Sequence, residues 1–596
     1  MCISRTPIDA TIQCCEHAAP MHEPSGLIPL VIGVTGHRNP APDAVAEAER
    51  QVERLLRQLD AVAPNSPMIL LSALAKGGDR IAARVALRFQ RSRSDLRIGV
   101  IAVLPFQIDD YRRDFDQAED AAEFASLLAS VDDCCELPRM DGARLDSKGH
   151  VEHGPSRDAH YRRLGLFIAM QSQVVIAMWD GVRNGLVGGT AEVVDVALGR
   201  RPIGPDCGIP FRRVTLKLAV PDSTPVFCIP TRRDGGPEPA APAVELAAEG
   251  LSPAVLDRVA DLDLLNRRLV RVGEGSWVPA MLKVSVSSEA APQWNRLCQR
   301  FLRLDALAQQ SKREHERSAV LIPLSAAVGI GGFQWFSSYA TDYAQHAWIS
   351  LAVYALGLLV AVGFWWYFKH RRRAEWLFVH ARALAEAMRI QLAWTGSGVE
   401  EAVADLYLAR RHSEVDFLRA LLRAATIECA LVHARGGTAA GTAVGETWIS
   451  EQSEYFDQFG KAMRKRTAAV ALQRRIDWLL RGVVILCSLG LLAVSILEVT
   501  WLPGAVGKIA NCGCLLVGLA LAATVAFGYW RDVMLDQEDL EVGSRMRGVF
   551  ARAMQLLGAE PDSRVETIRA VGREAVDEHA DWFARHREKL KLPEAG

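Results

Sequence analysis

"LIPLVIGVTGHRNP", residues 27–40, decides the fold. An apolar run rich in Val and Ile stops at a Thr-Gly-His-Arg corner, and a helix-compatible stretch follows from 43 to 60. That is the pattern of a buried strand feeding a helix. In open α/β sheets such corners are where ligands sit.

The pattern recurs. "MILLSAL" (68–74) runs into "AKGGDR" and a helical "IAARVALRF", and "LRIGVIAVLPF" (96–106) runs into "QIDDYRRDFD". "VVIAMWD" (174–180) runs into "GVRNGLVGGT" and "AEVVDVAL", and "TPVFCIPT" (224–231) reads as a last strand. Short apolar runs alternating with helices predict βαβ units and a parallel sheet covered on both faces. Right-handed crossovers then bring the strand-end loops to one edge.

That edge collects Thr35, Gly36, His37 and Arg38, then Lys76, Gly77, Gly78, Asp79 and Arg80, and finally Gly188, Gly189, Thr190 and Glu192. Glycines at helix starts let backbone amides approach an anion, and the helix dipole favours negative charge there. Arg38 and Arg80 add charge-assisted donors. A Gly-Gly before a helix is also an ordinary tight turn, and it is three such corners on one edge that point to a phosphate-bearing ligand. Phosphate contact is expected at residues 35–38 and 188–190, with Asp79, Arg80 and Asp180 orienting a base or ribose. No cofactor is expected. "HVEH" (150–153), with Asp158 and His160, lies in a loop without the helical spacing of a metal site.

The chain has 596 residues, more than one hydrophobic core usually organises. Its net charge of −1 argues against nucleic-acid binding by bulk electrostatics. The twelve cysteines show no zinc-ligand spacing and read as scattered thiols of a reducing compartment. Residues are 50% hydrophobic, and the excess gathers in the second half. Segments 318–336, 347–368, 482–502 and 509–530 each offer roughly 20 apolar residues, enough for a bilayer. "KREHER" (312–317), "KHRRR" (369–373) and "RKR" (464–466) flank them, whereas 337–345 has no Lys or Arg. The positive-inside rule therefore predicts two hairpins in the inner membrane, with both termini cytoplasmic. Trp335, Trp348, Trp365, Trp366, Trp478, Trp501 and Trp530 fall at span ends, as an interfacial belt places them. Glu498, the one carboxylate within the spans, lies near an outer end. Small residues in "GIGG" (329–332), "GLLVAVG" (357–363) and "GCLLVGLALAA" (513–523) predict close helix approach.

The expected fold class is thus an α/β Rossmann-like parallel-sheet N-terminal domain followed by an all-α membrane domain with four transmembrane helices. Its expected parts are a flexible tail at 1–26, the Rossmann-like domain at 27–235, and a linker with cytoplasmic helices at 236–317. A hairpin at 318–368, a helical segment at 369–481, a second hairpin at 482–530 and C-terminal helices at 531–596 follow. The bilayer and a second copy of the chain are the expected partners, besides the ligand.

"GVTGHR", "SALAKGGD", "VLPFQIDDYRRDF" and "SQVVIAMWDGVRNGLVGGTAEVV" resemble the SLOG superfamily, the Rossmann-like group that contains DprA and the LOG phosphoribohydrolases. The resemblance covers about 27–235, and Gly189, Thr190 and Glu192 are similar to the LOG phosphate-loop signature. It implies binding of a nucleotide or nucleotide-derived ligand, in some members with cleavage of the N-glycosidic bond. "NGLVGGT" lacks the proline and first glycine pair of the LOG loop, which favours binding over hydrolysis. The pairing of such a head with membrane hairpins resembles the SLATT class of conflict-system effectors. Two readings stay open: a sensor-effector answering a nucleotide signal, with an antiphage role, and a membrane-tethered nucleotide N-glycosidase with Glu192 as carboxylate and Arg38 holding phosphate. A ligand-regulated channel is a third.

Overall fold

The computed structural model describes residues 26–92, 98–183, 185–201, 208–210, 223–239, 251–273, 278–339, 344–371, 373–406, 416–437, 441–500, 507–534 and 537–590. Apart from Gly26, the expected N-terminal tail lies outside these. The chain forms two compact units. One comprises Met1–Leu307, Ala381–Glu451 and Ala553–Ala584; the other comprises Ala308–His380, Gln452–Arg552 and Arg585–Gly596.

The first unit is built on six parallel strands: β1 (Leu30–Gly36), β2 (Met68–Ser72), β3 (Ile98–Leu104), β4 (Asp133–Glu136), β5 (Val174–Trp179) and β6 (Val226–Pro230). Their order is β4-β3-β2-β1-β5-β6. The strands β2, β3 and β5 are buried along their whole length, which is why they read as unbroken apolar runs. Between them run α1 (Pro42–Val62), α2 (Gly78–Ser92), α3 (Ile108–Tyr111), α4 (Ala118–Leu128), α5 (Pro155–Gln171) and α6 (Thr190–Ala197). Pro42 opens α1, where its fixed φ and missing N–H cost nothing, and Ala48, Val52, Leu55, Leu56 and Leu59 form its buried stripe.

Sequence periodicity does not reveal β4. Its "DCCE" has polar ends, yet all four residues are buried. Asp133 accepts a hydrogen bond from Gln293 at 3.0 Å and pairs with Arg435, both far along the chain, so tertiary partners overrule the local pattern. The same unit takes in α7 (Pro253–Val272), whose Asn266 amide donates to the Ile28 carbonyl at 2.8 Å while its Oδ1 accepts from the Ile28 N–H at 2.9 Å. Helix α7, in the segment expected to hold a linker and cytoplasmic helices, thus packs as a structural element of the sheet unit.

The remaining helices are α8 (Ala291–Tyr339), α9 (Ala347–Trp366), α10 (Ala374–Gly396), α11 (Val403–Leu406), α12 (Asp416–Ala434), α13 (Ala443–Thr500), α14 (Gly507–Met534), α15 (Gln537–Ala559) and α16 (Arg564–Leu590). In the sheet unit, Glu428 of α12 is fully buried against Arg300 of α8 at 2.6 Å, and the Trp394 indole of α10 donates to the Ile568 carbonyl of α16 at 3.2 Å.

In the second unit, two of the four expected spans lie in helices long and apolar enough to cross a membrane: α8 and the stretch Ala347–Gly396 that contains α9. Only 17% of the most apolar window of each is buried, so neither window is a packed core segment. The third expected span falls in α13 up to Thr500, and the rest of it, Trp501 included, lies outside the described residues, as do the side chains of Glu498 and Trp530. The fourth falls in α14, whose described apolar run, Gly513–Gly528, is shorter than the other two. The described residues therefore give two crossing-competent helices rather than four. Small residues do bring helices together: a Cβ on Gly357 would lie 2.6 Å from Gly329 Cα, and one on Gly332 would lie 2.8 Å from the Tyr354 nitrogen. The Gln334 side chain of α8 donates to the Cys514 carbonyl at 2.9 Å.

Candidate functional site

The strand order reverses between β1 and β5, because α1 carries the chain from β1 to one side and β5 returns on the other. At the carboxyl ends of these strands lies a cavity of about 830 Å³, within the range of small-molecule sites. Thr35, Gly36, His37, Arg38, Asp79, Gly188, Gly189 and Thr190 line it. Gly77, Gly78, Arg80, Asp180 and Glu192 are not among its lining residues.

The glycines at the first two corners serve packing. A Cβ on Gly78 would lie 2.8 Å from Gly36 Cα and 3.3 Å from Met178 Cβ, so the β1 corner and the start of α2 touch backbone to backbone. Gly77 has φ +89° and faces the His37 carbonyl oxygen, which in turn accepts the Gly78 N–H at 3.0 Å. Gly78→Ala is expected to destabilise the protein by about 1–3 kcal/mol, as overpacking a tight contact does, seen as a lowered thermal midpoint.

His37 is a tie across the crevice. Its Nε2 lies 2.9 Å from the Asp180 amide, 3.1 Å from Asp180 Oδ1 and 3.3 Å from Arg233 Nε. Burial, then the Arg233 charge, lowers its pKa against the opposing pull of Asp180, so a neutral ring accepts the Asp180 N–H. Burial pushes the Asp180 carboxyl up, but the Val182 amide, His37 and Arg233 outweigh it and hold the group below its ordinary value. Arg233 Nε donates to Asp180 Oδ2 at 2.7 Å, which fixes the end of β6 beside β5. Asp180 thus orients the crevice wall.

Arg80 is also engaged internally. It is 1% exposed, donates to the Leu74 carbonyl at 3.0 Å and to Glu123 at 2.7 Å, and stacks on Phe115. Lys76 pairs with Asp120 at 2.8 Å. Glu192 has both oxygens occupied: Oε2 accepts the Gly188 N–H at 2.9 Å, and Oε1 meets Arg162 at 2.7 Å and Arg201 at 3.2 Å. It shapes the loop before α6. Gly188, at φ +72°, lets that loop pass the Arg162 backbone.

Arg38 differs from all of these. Its guanidinium lies 4.9 Å over the Tyr161 ring, and it makes no hydrogen bond or ion pair among the described residues. The Gly189 amide turns back to the Leu186 carbonyl, but the next two amides, of Thr190 and Ala191 at the start of α6, have no acceptor among the described residues. A stacked cation and two open amides around one cavity suit an anion.

Asp79 faces the same space. Burial pushes its carboxyl up to about 7 against the lowering effect of Arg38 and of the Ala75 amide. A carboxyl whose folded pKa exceeds its unfolded one stabilises fully below the unfolded value, and that stability is lost as pH rises through about 7. Asp79→Asn is therefore expected to gain on the wild type between pH 5 and pH 8.5, by on the order of 3 kcal/mol, in thermal melts run across that range. The same ionisation opposes a bound anion, so anion affinity should fall through the same interval.

Asp114, Tyr161 and Arg233 also line the cavity and carry no sequence signal of their own. Asp114 lies within "DDYRRDF", where nothing local marks it from its acidic neighbours. Arg157 of α5 holds its Oδ1 at 2.8 Å, a contact between distant segments. Near "HVEH", His153 borders the cavity, whereas His160 is buried with Nδ1 at 2.7 Å from the Ser156 carbonyl and Nε2 accepting the Met140 N–H at 3.1 Å. Among the described residues no cluster of three or more His, Cys, Asp or Glu is placed to hold a metal. No protein-family model matches the chain, and no curated protein does.

Proposed function

We propose that the protein is a membrane-anchored sensor-effector whose crevice binds a nucleotide or nucleotide-derived signal, with the ligand's phosphate against Arg38 and the first amides of α6. The observation that carries this reading is Arg38: an arginine stacked on an aromatic ring, lining a cavity, without a carboxylate partner among the described residues. The resemblance of residues 27–235 to the SLOG superfamily supports the nucleotide class. In this reading four spans form two hairpins in the inner membrane with both termini cytoplasmic. The uneven distribution of Lys and Arg supports it, and so do Trp335, Trp348, Trp365, Trp366 and Trp478, which are 42–73% exposed at the span ends. Binding acts by favouring one arrangement of the helices, which requires that the ligand bind that arrangement more tightly than the other. Self-association of the hairpins would then perturb the bilayer, in keeping with the SLATT-like architecture and a role in antiphage defence.

Full-length protein in lipid nanodiscs, titrated calorimetrically with a panel of nucleotides and dinucleotides, tests the binding step; absence of saturable binding across the panel refutes it. The glycosidase reading needs a free carboxylate at the ligand, and Glu192 has both oxygens engaged outside the cavity lining. Chromatography of the same mixtures is accordingly expected to show no released base. A constitutive channel predicts ion leakage from proteoliposomes without ligand; the sensor reading predicts leakage only with it.

A further inference from the structure

Two glycine contacts fix the register of the first hairpin. Gly329 of α8 meets Gly357 of α9, and Gly332, further along α8, meets Tyr354, further back along α9, so the two helices run antiparallel. Extended toward the basic flanks, that register brings Arg317, twelve residues before Gly329, level with Lys369, twelve residues after Gly357. These two cations directly flank the expected spans at 318–336 and 347–368, and Arg313 and Arg373 follow beyond them.

The charge at this end of the hairpin is open. Arg313, Arg317 and Lys369 are exposed and make no hydrogen bond or ion pair among the described residues. The neighbouring carboxylates do not neutralise them: Glu314, Glu316 and Glu375 are half-buried, Glu314 accepts from Gln310 at 3.2 Å, and Glu316 pairs with Lys312 at 3.9 Å. Glu375 feels the Lys369 charge without forming an ion pair with it.

A topology signal requires positive charge and no particular backbone. Here the backbone is particular. Helix α9 runs into a π turn, Tyr367–Arg371, and Arg373 is held at φ +47°, in the left-handed region that residues other than glycine rarely adopt. Such conformations persist where the surroundings over-determine them, and they gather at ligand sites. In this one the Arg373 guanidinium lies 4.3 Å over the Trp376 ring, and the Lys369 ammonium lies 5.7 Å over the Trp365 ring. An aromatic face satisfies a cation on one side and leaves the other for an anion.

The chemistry of that anion follows from its place. It must sit at the edge of the hydrocarbon layer and carry net negative charge, which describes an anionic phospholipid headgroup. A zwitterionic headgroup would set its own cation against the arginines. We propose that this end of the first hairpin is a collar that binds anionic phospholipid, with Lys369 and Arg373 as its main contacts on the α9 side and Arg313 and Arg317 on α8. This assignment rests on the reading that α8 and α9 cross the bilayer.

The test is native mass spectrometry of the full-length protein in detergent, incubated with equal amounts of phosphatidylglycerol and phosphatidylcholine that carry the same acyl chains. In detergent the measurement reads contact and is independent of the orientation of insertion. The wild type is expected to retain phosphatidylglycerol over phosphatidylcholine by at least about fivefold, the effect of one well-placed cation on an anionic headgroup. Lys369→Gln combined with Arg373→Gly should bring the ratio to within about twofold of parity. Glycine suits the positive φ at 373, so the turn is kept while the guanidinium is lost. Removing as many charges from the flank of the third expected span, by Arg475→Gln with Arg481→Gln, should leave the ratio unchanged. Equal retention of the two lipids by the wild type overturns the collar and spares the crossing helices. So does an Arg475/Arg481 variant that loses the preference as fully as the Lys369/Arg373 one, because the number of charges would then explain it without the geometry. A chain that stays soluble without detergent and retains neither lipid refutes the membrane reading itself, and this assignment with it.

Discussion

Arg38→Ala is expected to weaken binding of any phosphate-bearing ligand about 30-fold, the equivalent of about 2 kcal/mol for one charge-assisted contact. The change should leave the protein folded. Arg38 is exposed, so its removal breaks no hydrogen bond and costs only its stacking on Tyr161 and a favourable charge near Asp79. Arg38→Lys separates charge from shape: a lysine keeps the positive charge but neither the planar fork nor the stack, and should lose about tenfold. Calorimetry on wild type and both variants, with thermal midpoints recorded alongside, makes the comparison. An Arg38→Ala protein that binds as tightly as the wild type would remove the anion site from the crevice.

The largest stability effect is expected at Glu428. This carboxylate is fully buried and bridges Arg300, at 2.6 and 3.3 Å, and Arg296, at 3.2 Å. Arg300 in turn donates to the Leu27 carbonyl at 2.7 Å, immediately before β1. Glu428→Ala takes the buried carboxylate away from both guanidinium groups, leaving Arg296 its more distant pairing with Asp133 at 3.9 Å, and breaking such a pair from one side costs about 3–5 kcal/mol, whereas an apolar replacement of the whole set would be far milder. In a unit this large that corresponds to a fall in thermal midpoint on the order of 5 °C. Glu428→Gln retains an acceptor and should lie between. A midpoint unchanged in Glu428→Ala would show that the arginines find water or other acceptors when the carboxylate is gone.

Five of the six strands are legible in the sequence because a parallel sheet buries both faces, and strands so placed need apolar residues at every position. The exception, β4, is held at the sheet edge by Asp133 contacts to Gln293 and Arg435, which no local window contains. The crevice divides in the same way. Arg38, Thr35 and the loop ending at Thr190 sit next to strand ends, where the pattern itself marks them. Asp114 and Tyr161 come together through contacts between the segment after β3 and α5, among them Arg157 with Asp114 and the rings of Phe106 and Tyr111 with Tyr161, which no local window contains. Gly36, Gly77 and Gly78 show the converse: the motif is visible, but its glycines answer a steric demand between two backbones. In the apolar helices, Gly329, Gly332 and Gly357 meet their neighbours as small-residue spacing foretells, since there backbone proximity is the whole message.

The sheet unit is assembled from Met1–Leu307, Ala381–Glu451 and Ala553–Ala584, and its last contributor reaches the ribosome exit after nearly everything else. Trp394 gains the Ile568 carbonyl as acceptor, and packs over Gly572, only when α16 has been made. The ribosome must therefore release both apolar helices α8 and α9 before this unit can close. Folding of the sheet unit is in this sense subordinate to synthesis of the apolar segments that interrupt it, and a nascent chain stalled before residue 564 would hold that unit without its last helix.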